Sequence, residues 1–163
     1  MTDTGSFKFD RTDKETHLIT AELLEHGLEP YGIYSEVYNK ATIGKLHLLG
    51  RFLENIELFN DDKTAYSVML QKDFEETGTD EYAIEGFSTH LMSLSTVVLA
   101  IVFTETKRGV KLSFRSKGSI KSNQLAAEFG GGGHQNAAGS FIFGGNIKTV
   151  INEVKKASEK YIK

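Results

Sequence analysis

The chain has 163 residues, 39% of them hydrophobic, and a formal net charge of −3. That length fits one domain, or a small domain with an attachment, able to bury a core without covalent staples. The absence of cysteine excludes disulfides and thiolate metal sites, the mildly acidic balance argues against a protein that coats DNA, and the longest apolar run, residues 97–103, is too short to span a membrane.

The first six residues lack signal-peptide character, so a soluble cytoplasmic protein is expected. Ser6-Phe7-Lys8-Phe9 reads as an extended segment before a turn. Thr12 or Asp13 can cap a helix over 14–26, closed by Gly27. Pro30 fits the start of a short helix carrying Tyr31, Tyr34 and Tyr38, whose spacing suits packing against a neighbour or, alternatively, base stacking. A third helix places Ile43, Leu46, Leu49, Leu53 and Ile56 on one stripe and is expected to end near Asn60-Asp61-Asp62.

The period then changes. Residues 65–70 read as a strand and 71–77 as a short helix stopped by Gly78. The apolar run 97–103 fits a strand covered on both faces. A turn over 104–109 leads into 110–116, where Val110, Leu112 and Phe114 alternate with Lys111, Ser113 and Arg115. Ser122 can cap a helix holding Leu125, Ala126 and Phe129. Residues 140–143 read as a strand, and Gly144-Gly145-Asn146 opens a last helix with Ile147, Val150, Ile151, Val154 and Tyr161 on its stripe. The pattern predicts a helical piece over 1–62 and an α/β domain, a mixed sheet flanked by helices, over 63–163. The helical stripes lack a core of their own, so they need a partner such as a missing domain or a second subunit.

The chemistry concentrates in Gly130-Gly131-Gly132-Gly133-His134, followed by Ala137-Ala138-Gly139. Glycines leave backbone N–H groups uncovered, and a helix N-terminus behind them would make a phosphate cradle with His134 at its rim. A flexible linker is the competing reading. Lys107, Arg108, Lys111, Arg115, Lys117 and Lys121 precede the run without an intervening acid, which fits an anion site or a solvated hairpin. Arg115 can hold a phosphate through paired hydrogen bonds and Ser116 can add a hydroxyl. Asp3, in Asp-Thr-Gly-Ser, can present a carboxylate to a metal. His17, His26, His47 and His90 show no ligand spacing.

Ser113-Phe114-Arg115-Ser116, Leu125-Ala126-Ala127, Gly131-Gly132-Gly133-His134 and Ala137-Ala138-Gly139 together resemble the DHH-associated domain of the DHH phosphoesterases. Residues 2–7 resemble the last stretch of the preceding catalytic DHH lobe, Lys45-Leu46-His47-Leu48-Leu49-Gly50 its linker helix, and Glu85-Gly86-Phe87 also fits. The branch that matches best is the nano-RNase/pAp-phosphatase group, with cyclic-di-AMP phosphodiesterases and RecJ-like exonucleases as cousins.

The resemblance implies a two-lobed hydrolase. Its catalytic lobe holds two manganese ions, and its associated lobe grips a short oligonucleotide or 3′-phosphoadenosine phosphate. Arg115, Ser116, Gly131, Gly132, Gly133 and His134 would match the gripping set, and Asp3 a metal ligand. The chain has no Asp-His-His segment and starts where that lobe should end, so it reads as a fragment or a truncated relative, expected to be non-catalytic and metal-free by itself. Thr89-His90-Leu91 stands where the family has Asn and Pro, which bears on substrate choice. Two alternatives are a stand-alone nucleotide-binding module and a piece of a cyclic-di-AMP phosphodiesterase; a purely structural subunit is a third. The missing catalytic lobe is the first expected partner, and a homodimer is compatible with the exposed stripes.

Overall fold

The computed structural model describes residues 4–8 and 12–162, which fall into two compact units, Met1–Ala41 and Thr42–Lys163. Asp3 lies outside the described residues.

In the first unit, residues 4–8 form a turn rather than an extended segment. The Lys8 N–H donates to the Thr4 carbonyl at 2.9 Å, and Gly5 turns the chain at φ 54°. Helix α1 spans Lys14–Glu25, with the Asp13 carboxylate accepting from the Thr16 N–H at 2.8 Å, and Gly27 reverses the chain at φ 84°. Helix α2, Pro30–Tyr38, has proline in its first turn, where a missing N–H costs nothing. The Tyr34 and Tyr38 rings meet at 4.8 Å, yet neither helix has a buried residue within the chain, as the unpartnered stripes imply.

The second unit begins with helix α3, Ile43–Glu54, so the expected boundary at 62/63 falls inside it. The stripe expected for α3 is corrected. Leu48 and Phe52 are the buried residues, with Leu49 and Ile56 packed beside them, while Ile43, Leu46 and Leu53 face solvent. The helix is apolar on two sides, and packing of Leu48 and Phe52 against Ala65, Met69, Phe74 and Phe87 selects one, the Phe52 and Phe87 rings lying 5.3 Å apart. The helix also ends early. Strand β1, Glu57–Phe59, turns through Asn60, Asp61 and Asp62, all at positive φ, into β2, Thr64–Met69. Asn and Asp tolerate that conformation better than other non-glycine residues.

Helix α4, Gln71–Thr77, and helix α5, Ser88–Met92, lead to the long strands β3, Leu99–Thr106, and β4, Gly109–Ser116. Helix α6, Ser122–Glu128, precedes a short strand β5, Gly132–His134, then β6, Ala137–Phe143, and helix α7, Ile147–Ser158. The six strands form one mixed sheet in the order β1-β2-β3-β4-β6-β5, parallel only between β2 and β3. On one face, Ile101, Phe103, Leu112 and Phe114 pack with Leu125, Val150 and Val154 of α6 and α7. On the other, Ala65, Met69, Ala100 and Val102 pack with Leu48, Phe52, Phe74 and Leu91. Each large side chain so buried contributes about 1.5–3 kcal/mol. The Ser122 hydroxyl is not a cap; it is buried and donates to the Gln135 carbonyl at 2.8 Å. The second core stops at β4, which leaves the same face of β6 and β5 open.

Candidate functional site

Alternation along β4 turns Lys111, Ser113 and Arg115 to the open face while Leu112 and Phe114 enter the core. Cross-strand register extends this face. Arg115 lies opposite Ala137 on β6, and His134 of β5 lies opposite the same alanine; one step along, Ser113, Gly139 and Gly132 make a second row. Directly opposed residues share a face. Arg115, His134 and Gly132 therefore converge on one surface, with only small side chains between them.

The glycine run is not the start of a helix. It ends one. The Gly131 N–H donates to the Ala126 carbonyl at 2.9 Å and the Gly130 N–H to Ala127 at 3.1 Å, with Gly130 at φ 70°. That is a Schellman cap. The next three residues form an edge strand, whose alternate N–H and C=O groups stay unpaired. Bare backbone donors are present, supplied by a sheet edge. Glycine is demanded at 131, where a Cβ would stand 2.2 Å from the Gly139 carbonyl, and at 133, where φ is 141° and a Cβ would meet the Ala137 carbonyl at 2.6 Å. At Gly132 a Cβ meets nothing and would project onto the open face.

The hairpin turn that carries His134 is tied down from behind. The Asn136 carbonyl accepts from the Ser116 N–H at 3.1 Å, and the Asn136 side chain donates to Gly118 at 3.3 Å. Ser116 is not brought to the open face. It is buried, points the other way, and its hydroxyl donates to the Ile120 carbonyl at 2.7 Å. The hydroxyl that faces the site is that of Ser113, which has no hydrogen bond among the described residues. The strict alternation of 111, 113 and 115 was the signal for it.

Arg115 is exposed; its Nη1 donates to the Phe114 carbonyl at 3.2 Å, and it forms no salt bridge among the described residues. Beside it opens a cavity of about 330 Å³, floored by Val102 and edged by Lys111, Ser113 and Arg115 on the sheet and by Tyr82, Glu85 and Gly86 on the facing loop. The Lys111 ammonium sits 6.0 Å from the Tyr82 ring. The basic stretch is thus divided. Lys111 and Arg115 serve this face, Lys117 turns away to the Leu94 carbonyl at 3.1 Å, and Arg108 lies at the far end of the sheet.

Among the described residues no three His, Asp or Glu side chains gather as a group able to hold a metal. The described residues therefore supply no manganese site by themselves. No helix among them is long and apolar enough to cross a membrane.

The DHHA1 domain model matches residues 61–163. The bifunctional oligoribonuclease and PAP phosphatase NrnA of Bacillus subtilis (strain 168) is 30% identical over 143 residues, 86% of this chain and 44% of the relative. The protein of the same description from Thermus thermophilus is 27% identical over 157 residues, 96% of this chain and 47% of the relative. The crystal structure of an exopolyphosphatase-related protein from Bacteroides fragilis is similar at a TM-score of 0.92 and 33% identity, over 99% of this chain and 47% of that one. This chain spans less than half the length of each.

Proposed function

This chain belongs to the DHHA1 domain family, as its motifs implied, and on that premise we propose that it is the substrate-recognition half of a DHH phosphoesterase acting on short oligonucleotides or 3′-phosphoadenosine phosphate. One observation carries the reading: Arg115 and His134 stand in a single row across the open face, with no side chain larger than a methyl between them. A phosphate seated over Ala137 receives the guanidinium from one side and the imidazole from the other, and the missing side chain of Gly132 leaves room for it. Ser113 and Lys111 extend the donor set toward the cavity, where the rest of the nucleotide is accommodated.

Hydrolysis is assigned to a catalytic lobe outside this chain, and so are the two manganese ions that this chemistry uses. A metal pair held there would supply stabilisation of both the attacking and the leaving oxygen. The chain's own share is to bind and orient, and it is expected not to hydrolyse phosphodiesters alone. The test is a calorimetric titration of 3′-phosphoadenosine phosphate into the wild type, Arg115→Ala and His134→Ala. Binding lost in both variants supports the reading. Equal affinity in all three proteins overturns it.

A further inference from the structure

The open face does not end at the phosphate row. Residues 137, 139, 141 and 143 of β6 share it, so Phe141 and Phe143 lie on the same surface as Arg115 and His134. Their rings meet edge to face at 4.6 Å, and Phe143 is 75% exposed. Two cations bracket them. Lys111 is the cross-strand partner of Phe141, and the Arg108 guanidinium lies 5.8 Å from the Phe141 centroid. Neither cation forms a salt bridge among the described residues. An exposed aromatic alone means little. An aromatic pair between unneutralised cations is how proteins hold single-stranded nucleic acid, with a base on the ring and the backbone on the charges.

The geometry points to a second contact site at Phe141, Phe143 and Arg108 that stacks a nucleobase of an oligonucleotide whose terminal phosphate sits at Arg115 and His134. This inference rests on the phosphate reading above. At the rise of an antiparallel strand, four to six residues separate Ala137 from the two rings by roughly 14–20 Å. A mononucleotide held at Arg115 falls short of them, whereas a chain of several nucleotides spans the gap. The face therefore distinguishes ligands by length and favours the oligonucleotide.

The test compares 3′-phosphoadenosine phosphate with a 5′-phosphorylated five-residue oligoadenylate, titrated into the wild type, Phe143→Ala, Phe143→Trp and Arg115→Ala. Phe143→Ala should weaken the oligoadenylate roughly tenfold, the order of one lost base stack, and leave the mononucleotide unchanged. Phe143→Trp should restore the affinity. The chain has no tryptophan of its own, so the new fluorophore should be quenched by the oligoadenylate and not by the mononucleotide. An oligoadenylate affinity untouched by Phe143→Ala but reduced by Arg115→Ala overturns the second site and leaves the phosphate reading standing. A change in self-association with Phe143→Ala, at constant oligoadenylate affinity, also overturns it and assigns the rings to a protein contact. No effect of Arg115→Ala on either ligand removes both.

Discussion

Arg115 and His134, 19 residues apart in sequence, face each other across Ala137 in one cross-strand row. Neither is placed by its own neighbourhood. Arg115 is set by the register of β4 on β6, and His134 by the hairpin that folds β5 back on β6.

Arg115→Ala should weaken nucleotide-phosphate binding by about 1.5–3 kcal/mol, the scale of a charged hydrogen bond. Arg115→Lys should recover only part of it, because an ammonium cannot reproduce the paired geometry of a guanidinium. His134→Ala should cost more affinity at acidic than at alkaline pH, since an imidazolium is the stronger phosphate partner. Calorimetry across pH checks all three variants. An equal loss for His134→Ala at both ends of the range would reduce the imidazole to a neutral donor.

The three glycines of the motif should separate by phenotype. Gly131→Ala and Gly133→Ala drive a Cβ into backbone of β6 and should cost about 1–3 kcal/mol in chemical denaturation, as overpacking does. Gly132→Ala meets no protein atom, so its stability should stay within about 0.5 kcal/mol. Its methyl stands on the ligand face, so its phosphate affinity should fall. Unchanged affinity in folded Gly132→Ala would move the phosphate off β5.

The two serines flanking Phe114 and Arg115 should exchange the roles that their spacing alone implies. Ser116→Ala strands the Ile120 carbonyl and should lower stability by about 0.5–1.5 kcal/mol with little effect on affinity. Ser113→Ala should spare stability and weaken binding. Denaturation midpoints and titrations on the same two proteins decide this, and the reverse pattern would return Ser116 to the site.

A clasp at the end of α6 should give stability a distinctive pH profile. Glu128 accepts from the Lys160 ammonium at 2.6 Å and from the Tyr161 hydroxyl. Lys160, then Tyr161, hold the Glu128 carboxyl below the usual carboxylate range, while burial, then Glu128, push the Tyr161 phenol up to about 12. The depressed carboxyl stabilises the fold above its unfolded pKa and loses that contribution as pH falls through the folded one. The raised phenol stabilises below its unfolded pKa of about 10 and loses it as pH rises toward about 12. Tyr66, pushed up to about 12 by burial and by Glu57, shares the alkaline window. The informative quantity is therefore the difference between wild type and Glu128→Gln, which should shrink at both extremes of pH. A difference constant with pH would dissolve the clasp.

Local chemistry alone determined several elements of this protein. Asp13, Pro30, Gly27 and Gly78 end or begin helices by their own backbone preferences. The alternation of 110–116 and the apolar run at 97–103 declare strands because burial on one face or two is written in the side chains. The family motifs were legible in the same way, and the matched domain bears them out. The tertiary structure decided the rest. Strands β1 and β5 are three residues long, too short for a period, and β5 is nearly all glycine, so only pairing with a neighbour defines them. Helix α3 offers two apolar sides, and packing against β2, α4 and Phe87 chose between them. The glycine run shows that backbone will be bare without showing where; its role as helix cap and sheet edge comes from α6 behind it and β6 beside it. The site is a row across strands distant in sequence, and register is a property of the packed sheet, because a one-residue slip would turn every one of these side chains to the other face.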